Sequence, residues 1–515
     1  MKRYPVIFIL TAFVIIAGCS KNNETNSAPA HSANNPDLLT TAQINSIIRQ
    51  QLEQKGSFDW KDVSDEVIWS ALKQSDHILS VGYKPSDEIN VEDRLTQINI
   101  KESKWKSAKQ QVLQIIYNSE NNASSLKATQ QEVWKENVLP VADVYVTNIN
   151  TIKLLRASNL VRYAEPMGYD PGTYEKDFNK QPGPLTSSNS SGSGCGGYDG
   201  DASLVNGVDY TVTSPNAEVS WNYSYQHIQD AWAKSTGQGV TVMIIDTGVS
   251  PDQDNLGSGF NRGYSSGRTI EKMVTLPGGT IDDVCGHGTA MAGECGAPRG
   301  TVGASCGVAY NCNLITCHAA EDVYLDESKE VKGVSDAFTS AGNNDTVKIV
   351  SMSMGRITNS SQMADAIKYA YGKGKLIFCA GGTSFSWVAS WWGVIFPATM
   401  SQVEAITGVQ DNLSNVENCT DCHQGKQIDF VIVMERVSDG QHPITLATSG
   451  NVPTTVGGSS VSTSTAAGIA ALVWSKYPSY TSAQIITKLQ QSSSYYPKKN
   501  ANFGSGIINA DLATN

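Results

Sequence analysis

Charge is scarce in this chain: Asp, Glu, Lys and Arg together make up 17% of its 515 residues, and no run of Lys and Arg occurs. Phosphate binding needs clustered cations, so a net charge of −11 argues against nucleic acid as the natural partner. Long apolar runs are missing too. The one extended stretch, residues 6–17, is too short for an ordinary membrane span, and no second follows. No internal repeat is present. What remains, 40% apolar residues in a length too great for one ordinary core, describes a folded protein of two or three domains.

The first residues are a targeting segment. Lys2 and Arg3 precede the apolar stretch, and small Gly18 leads to Cys19, the layout of a secretory signal. The ending Ile16-Ala17-Gly18-Cys19 resembles the lipobox of bacterial lipoproteins. That resemblance implies cleavage before Cys19, acylation (palmitate) of its thiol, and membrane attachment through lipid in the bacterial cell envelope, outside the cytoplasm. Residues 20–40 then read as a polar tether.

Ten cysteines are many for a reducing compartment, and export permits disulfides. With Cys19 acylated, nine are left, so at least one thiol stays free unless chains pair. Cys379, inside the apolar run 376–380, is the expected one, because a buried thiol packs as a small hydrophobe. Cys419-Thr420-Asp421-Cys422-His423 spells the c-type haem attachment word. No flanking helical domain is there to wrap a haem, so a local disulfide is expected instead. Two thiolates and one His also leave a tetrahedral metal site incomplete. No cofactor is expected.

Residues 41–170 read as a small α+β unit. Ile44, Ile47, Ile48 and Leu52 fall at helical spacing after the capping pair Thr40-Thr41. A second helix is expected around Val112, Ile115 and Ile116, a third around Val133-Trp134, and a short one over 149–157. Strands are expected over 141–147 and 160–164. Residues 171–205 are a Gly/Ser-rich linker, the kind of exposed segment where proteolytic nicking concentrates. From 206 to 515, short apolar strands (240–245, 314–316, 347–352, 376–380) alternate with helices. That alternation predicts an α/β domain with a doubly wound parallel sheet covered by helices on both faces.

Within that domain three weak signals line up. Asp246-Thr247-Gly248 ends a strand, where reacting groups gather in open α/β sheets. His287 lies between glycines and opens a helix rich in small residues. Ser460 lies at the start of a long small-residue apolar helix, whose N-terminal N–H groups favour a developing oxyanion. An Asp, a His and a Ser are the parts of a nucleophilic triad.

The words around them resemble the subtilisin-like serine proteases. Asp246-Thr247-Gly248, His287-Gly288-Thr289 with Ala292-Gly293, and Gly458-Ser459-Ser460 through Ala467-Gly468 match that family's three motifs in order. Ser464 departs from the motif's usual proline. Further segments stay in register from Ser220-Trp221-Asn222 to the closing Gly504 and Asn509. The resemblance implies a membrane-anchored serine endopeptidase acting on protein or peptide substrates, with Asp246, His287 and Ser460 as catalytic residues. It also implies that Ser353, Met354, Gly355, Ala380 and Gly381 line the substrate. Residues 144–166 resemble the end of the family's inhibitory prodomains, which implies a zymogen that processes itself and is inhibited by its own prodomain.

One departure stands out. The family's oxyanion asparagine follows Ala-Gly, whereas here Gly382 takes its place and supplies no side-chain donor. The expected oxyanion hole is therefore Ser460 with Gly382 and Thr383, helped by a hydroxyl of Thr383 or Ser384. Loss of such a donor costs about two to three powers of ten in rate. A catalytically weak or inactive surface binding protein on the same fold is the alternative. The family often binds calcium, but Asp252, Asp254, Asp282 and Asp283 read as solvated loop acids, and no metal is expected.

Overall fold

The computed structural model describes residues 38–120, 132–136, 138–171, 194–383 and 393–515. Cys19, most of the tether, most of the linker and Ser384 lie outside the described residues.

The N-terminal segment forms α1 (Thr41–Lys55), α2 (Asp65–Gln74), β1 (Ile78–Tyr83), α3 (Ser103–Glu120), β2 (Glu132–Trp134), β3 (Val141–Tyr145), α4 (Ile149–Ala157) and β4 (Val161–Pro166). Thr40 caps α1 in a capping box with Gln43, as the Thr pair predicts. The four strands make an antiparallel sheet in the order β2-β3-β1-β4. The expected helix at Val133-Trp134 is instead the edge strand β2. Pairing with β3 overrides local propensity there. The central strand β1 is buried along its whole length, so it has no alternating pattern for sequence periodicity to detect.

The larger part contains β5 (Thr241–Asp246), β6 (Ile270–Val274), α5 (His287–Gly296), β7 (Asn313–His318), α6 (Ser328–Asn343), β8 (Val347–Met352), α7 (Ser361–Gly372), β9 (Leu376–Ala380), β10 (Glu404–Gln410), β11 (Ile428–Glu435) and α8 (Gly458–Lys476). Seven parallel strands run in the order β11-β10-β9-β8-β5-β7-β6. Strands such as β5 and β9 are buried on both faces along their whole length, which is what a helix-covered parallel sheet demands. Strand order reverses at β5, so a crevice opens beyond the carboxyl ends of β5 and β8.

The N-terminal sheet docks against the N-termini of α6 and α7. Arg162 pairs with Asp365 at 2.7 Å, and Gln362 bridges Ser80 and Asp143. The Glu165 carboxylate accepts from the N–H and hydroxyl of Ser361 at the first turn of α7. At α6, Ser328 donates to Asp76. One apolar core runs from Ile48 and Val144 through to Ile357 and Ala366.

Candidate active site

The three residues marked by the sequence lie at the crevice, Asp246 and His287 in direct contact and Ser460 against Ser353 just past β8. Asp246 ends β5 and is 1% exposed. Its Oδ1 accepts from His287 Nδ1 at 2.8 Å and from the Thr247 N–H at 2.8 Å. His287 is the first residue of α5, and Gly286 before it has φ +88°. A Cβ on Gly286 would come within 2.8 Å of the Tyr198 ring, so glycine is required both by conformation and by space.

Burial opposes a charged His287, but the charge and hydrogen bond of Asp246 outweigh it and hold the imidazole above its ordinary value. Ser460 is the third residue of α8. Its hydroxyl donates to Ser353 O at 3.4 Å, while Ser353 Oγ donates to Ser460 O at 3.0 Å, which seats the serine at the end of β8. Among the described residues no hydrogen bond joins Ser460 to His287, a spacing common before substrate tightens such a site.

Asp283 differs from the expectation of a solvated acid. It is buried, and its Oδ1 accepts from Thr247 Oγ1 (2.8 Å) and Gly286 N–H (2.7 Å). Its Oδ2 accepts from both the N–H and the hydroxyl of Thr289 at 2.7 Å. Asp283 therefore braces the turn after β5 against the start of α5. The available signal was an acid just ahead of a helix start. Asp252 and Asp254 are exposed as expected. Among the described residues no group of three or more His, Cys, Asp or Glu could hold a metal.

The sequence profile of the subtilase family (Peptidase_S8) matches residues 237–506. The chain belongs to the subtilase family. It is a serine-type endopeptidase with that family's α/β fold. This subtilase is similar to the thermostable alkaline protease of Halalkalibacterium halodurans, 29% identical over 306 residues, 58% of this chain and 76% of that protease. It is also similar to subtilisin Savinase of Lederbergia lenta, 29% identical over 282 residues, 54% of this chain and 92% of that enzyme. Among solved structures it resembles MycP1 from Mycobacterium smegmatis, with 21% identity and a TM-score of 0.46, covering 60% of this chain and 88% of that one.

In the subtilase, Gly382 has φ +120°, and a Cβ there would lie 2.3 Å from His423 Nδ1. An asparagine does not fit. The Gly382 N–H is also occupied, donating to Ser459 Oγ at 3.1 Å. Thr383 Oγ1 accepts from the Ser459 N–H at 2.9 Å, and the two hydroxyls share one hydrogen bond at 3.0 Å. Two hydroxyl protons serve that single bond, so one O–H is left over. Ser459 is fully buried and Thr383 partly exposed, which places the spare proton on Thr383 when Ser459 donates.

The expected substrate residues have mixed surroundings. Met354 and Ala380 are buried. Gly355 N–H donates to Val323 O (3.1 Å), and Gly355 O accepts from Leu325 N (3.0 Å). Gly381 likewise donates to Ile406 O and accepts from Ile395 N. Among the described residues, only Ser353 of the five is hydrogen-bonded to Ser460. The segment 323–325 thus occupies the Gly355 backbone, a pairing that sequence reading missed.

Cys419 and Cys422 are disulfide-bonded, as are Cys195 and Cys285. Pairing of Cys419 with Cys422 leaves no thiol in that word for haem. Cys379 is free and buried as expected, together with Cys295, Cys306, Cys312 and Cys317. Burial pushes the Cys306 and Cys317 thiols up to about 12, so they stay protonated and inert.

Proposed function

We propose that Asp246, His287 and Ser460 form the catalytic triad of an exported endopeptidase made as a zymogen. The observation that carries this is the 2.8 Å bond from His287 to buried Asp246, at the crevice where Ser460 opens α8. Neutral His287 takes the Ser460 proton as the serine attacks the peptide carbonyl. Asp246 holds the tautomer and stabilises the imidazolium. The N-terminus of α8 and the spare hydroxyl of Thr383 face the oxyanion, the leaving amine takes the proton back, and water resolves the acyl-enzyme.

Residues 41–170 act as the prodomain and intramolecular inhibitor, and processing falls in the linker 171–205. Support comes from the docking of Glu165, Arg162 and Asp76 on α6 and α7. Lipid on Cys19 attaches the chain to a membrane outside the cytoplasm. The two disulfides fit an oxidising compartment. Cleavage in the linker would free the peptidase from that lipid.

A fluorophosphonate tests the reading: it should label the wild type and Ser459→Ala but not a folded Ser460→Ala. Labelling that survives in Ser460→Ala moves the nucleophile elsewhere. Gly382 favours a second reading, a weakly active or inactive binding protein on this fold, for which the wild type would not label.

A further inference from the structure

Asp170 is the last acid before the linker, and its carboxylate is 2% exposed. Four donors surround it. Oδ2 accepts from the Thr358 N–H at 2.8 Å and the Thr358 hydroxyl at 2.7 Å, with Arg356 Nε 3.5 Å away. Oδ1 accepts from the Tyr324 hydroxyl at 2.7 Å.

Arg356 is 1% exposed, and it donates through Nη1 to Met167 O (3.0 Å) and through Nη2 to Tyr169 O (2.7 Å). It also donates to Thr358 Oγ1, which aims that hydroxyl's own proton at Asp170. Among the described residues Asp170 is the one carboxylate at ion-pair distance from Arg356. Every donor here belongs to the peptidase part, and the carboxylate and both carbonyls belong to residues 167–170.

The cluster also adjoins Ser353, Met354 and Gly355, the stretch expected to line the substrate. Arg356 follows Gly355 in the chain, and the Tyr324 backbone pairs with Gly355. When residues 167–170 leave, a buried guanidinium and the Thr358 N–H lose their partners, which is costly in an interior site. A peptide presenting a carboxylate and main-chain carbonyls in the same places restores them.

We propose that Tyr324, Arg356 and Thr358 form an acid-selective subsite on the N-terminal side of the scissile bond, filled by Asp170 in the intact chain. This rests on the endopeptidase reading above. Its consequence is a substrate class: peptides with an aspartate at the position corresponding to Asp170. Glutamate, one methylene longer, fits the same donors less well. An amide or methyl side chain leaves the guanidinium uncompensated, and sites built around such groups discriminate strongly.

The test uses the processed enzyme and a positional-scanning peptide library, with cleavage sites read by mass spectrometry. At one position upstream of the cut, aspartate should exceed asparagine and alanine by at least about tenfold in kcat/KM. Thr358→Val should remove that preference and Tyr324→Phe should reduce it, with preferences elsewhere unchanged. The comparison of aspartate with asparagine peptides needs no variant, so it survives any folding failure. A flat profile at every upstream position, in enzyme whose Ser460 is labelled by fluorophosphonate, overturns the subsite and leaves the endopeptidase standing. Failure of Ser460 to label removes the reading beneath it, and the proposal with it.

Discussion

The Tyr198 ring stands edge-to-face against the His287 imidazole, with centroids 6.1 Å apart and planes at 79°. Tyr198 lies on a strap, residues 194–201, before the family-matched part of the chain. The Cys195–Cys285 disulfide fastens one end two residues from His287. Thr448 N–H donates to Tyr198 O at 2.9 Å, and Asp201 N–H donates to Pro453 O at 2.8 Å. His287 is only 3% exposed beneath it.

Loss of that ring frees the imidazole to shift. Tyr198→Ala should lower kcat by about one to two powers of ten, because small misplacements of a catalytic group are costly. Tyr198→Phe keeps the ring and should stay within a few-fold of wild type. Steady-state kinetics on one peptide decide it: equal kcat for the alanine variant and wild type would show that the strap does not position His287.

With His287 as the proposed base, the acid limb of kcat/KM should lie above the ordinary histidine value of 6.5, since a base must be neutral to accept a proton and Asp246 favours the charged form. Activity is therefore lost as pH falls through the raised value. In Asp246→Asn burial is opposed only by the weaker pull of Asp283 and Asp322, so the limb should move down while kcat collapses. A pH–rate profile with the limb unmoved would separate His287 from Asp246.

The Thr383 hydroxyl should carry the oxyanion role. Thr383→Val should reduce kcat by about two to three powers of ten with KM little changed. Gly382→Asn, by contrast, should not raise turnover, because its Cβ meets His423 at 2.3 Å and φ is +120°. It should lower the melting temperature instead. A faster, equally stable Gly382→Asn enzyme would contradict this geometry.

Docking of residues 41–170, the proposed prodomain, should weaken as pH rises. Burial pushes Glu165 up to about 7 against the pull of its Ser361 bonds, and burial likewise raises Asp143 to about 7. A carboxyl raised in the docked state takes up a proton on docking between its free value near 4.5 and 7. Affinity is then greatest at acid pH and falls by at most about tenfold per pH unit per proton, levelling above 7. In chain cut within the linker 171–205, the two parts should co-elute in size-exclusion chromatography near pH 5 and separate more readily near pH 8. Asp143→Asn should flatten the dependence.

By itself the sequence determined what rests on local words and period. Apolar runs made β5, β8 and β9 legible, and the words around Asp246, His287 and Ser460 placed all three at one crevice. Backbone conformation and neighbours distant in the chain decided the rest. Strand β2 follows from pairing with β3, and Asp283 is a brace only because Thr247 and Thr289 converge on it. Gly382 reads in sequence as a missing asparagine. In three dimensions its positive φ and the nearby His423 leave no room for one, and a hydroxyl pair stands beside it. Asp170 meets Arg356, 186 positions further along the chain, a contact no local pattern encodes, because burial and long-range packing select that carboxylate's partners.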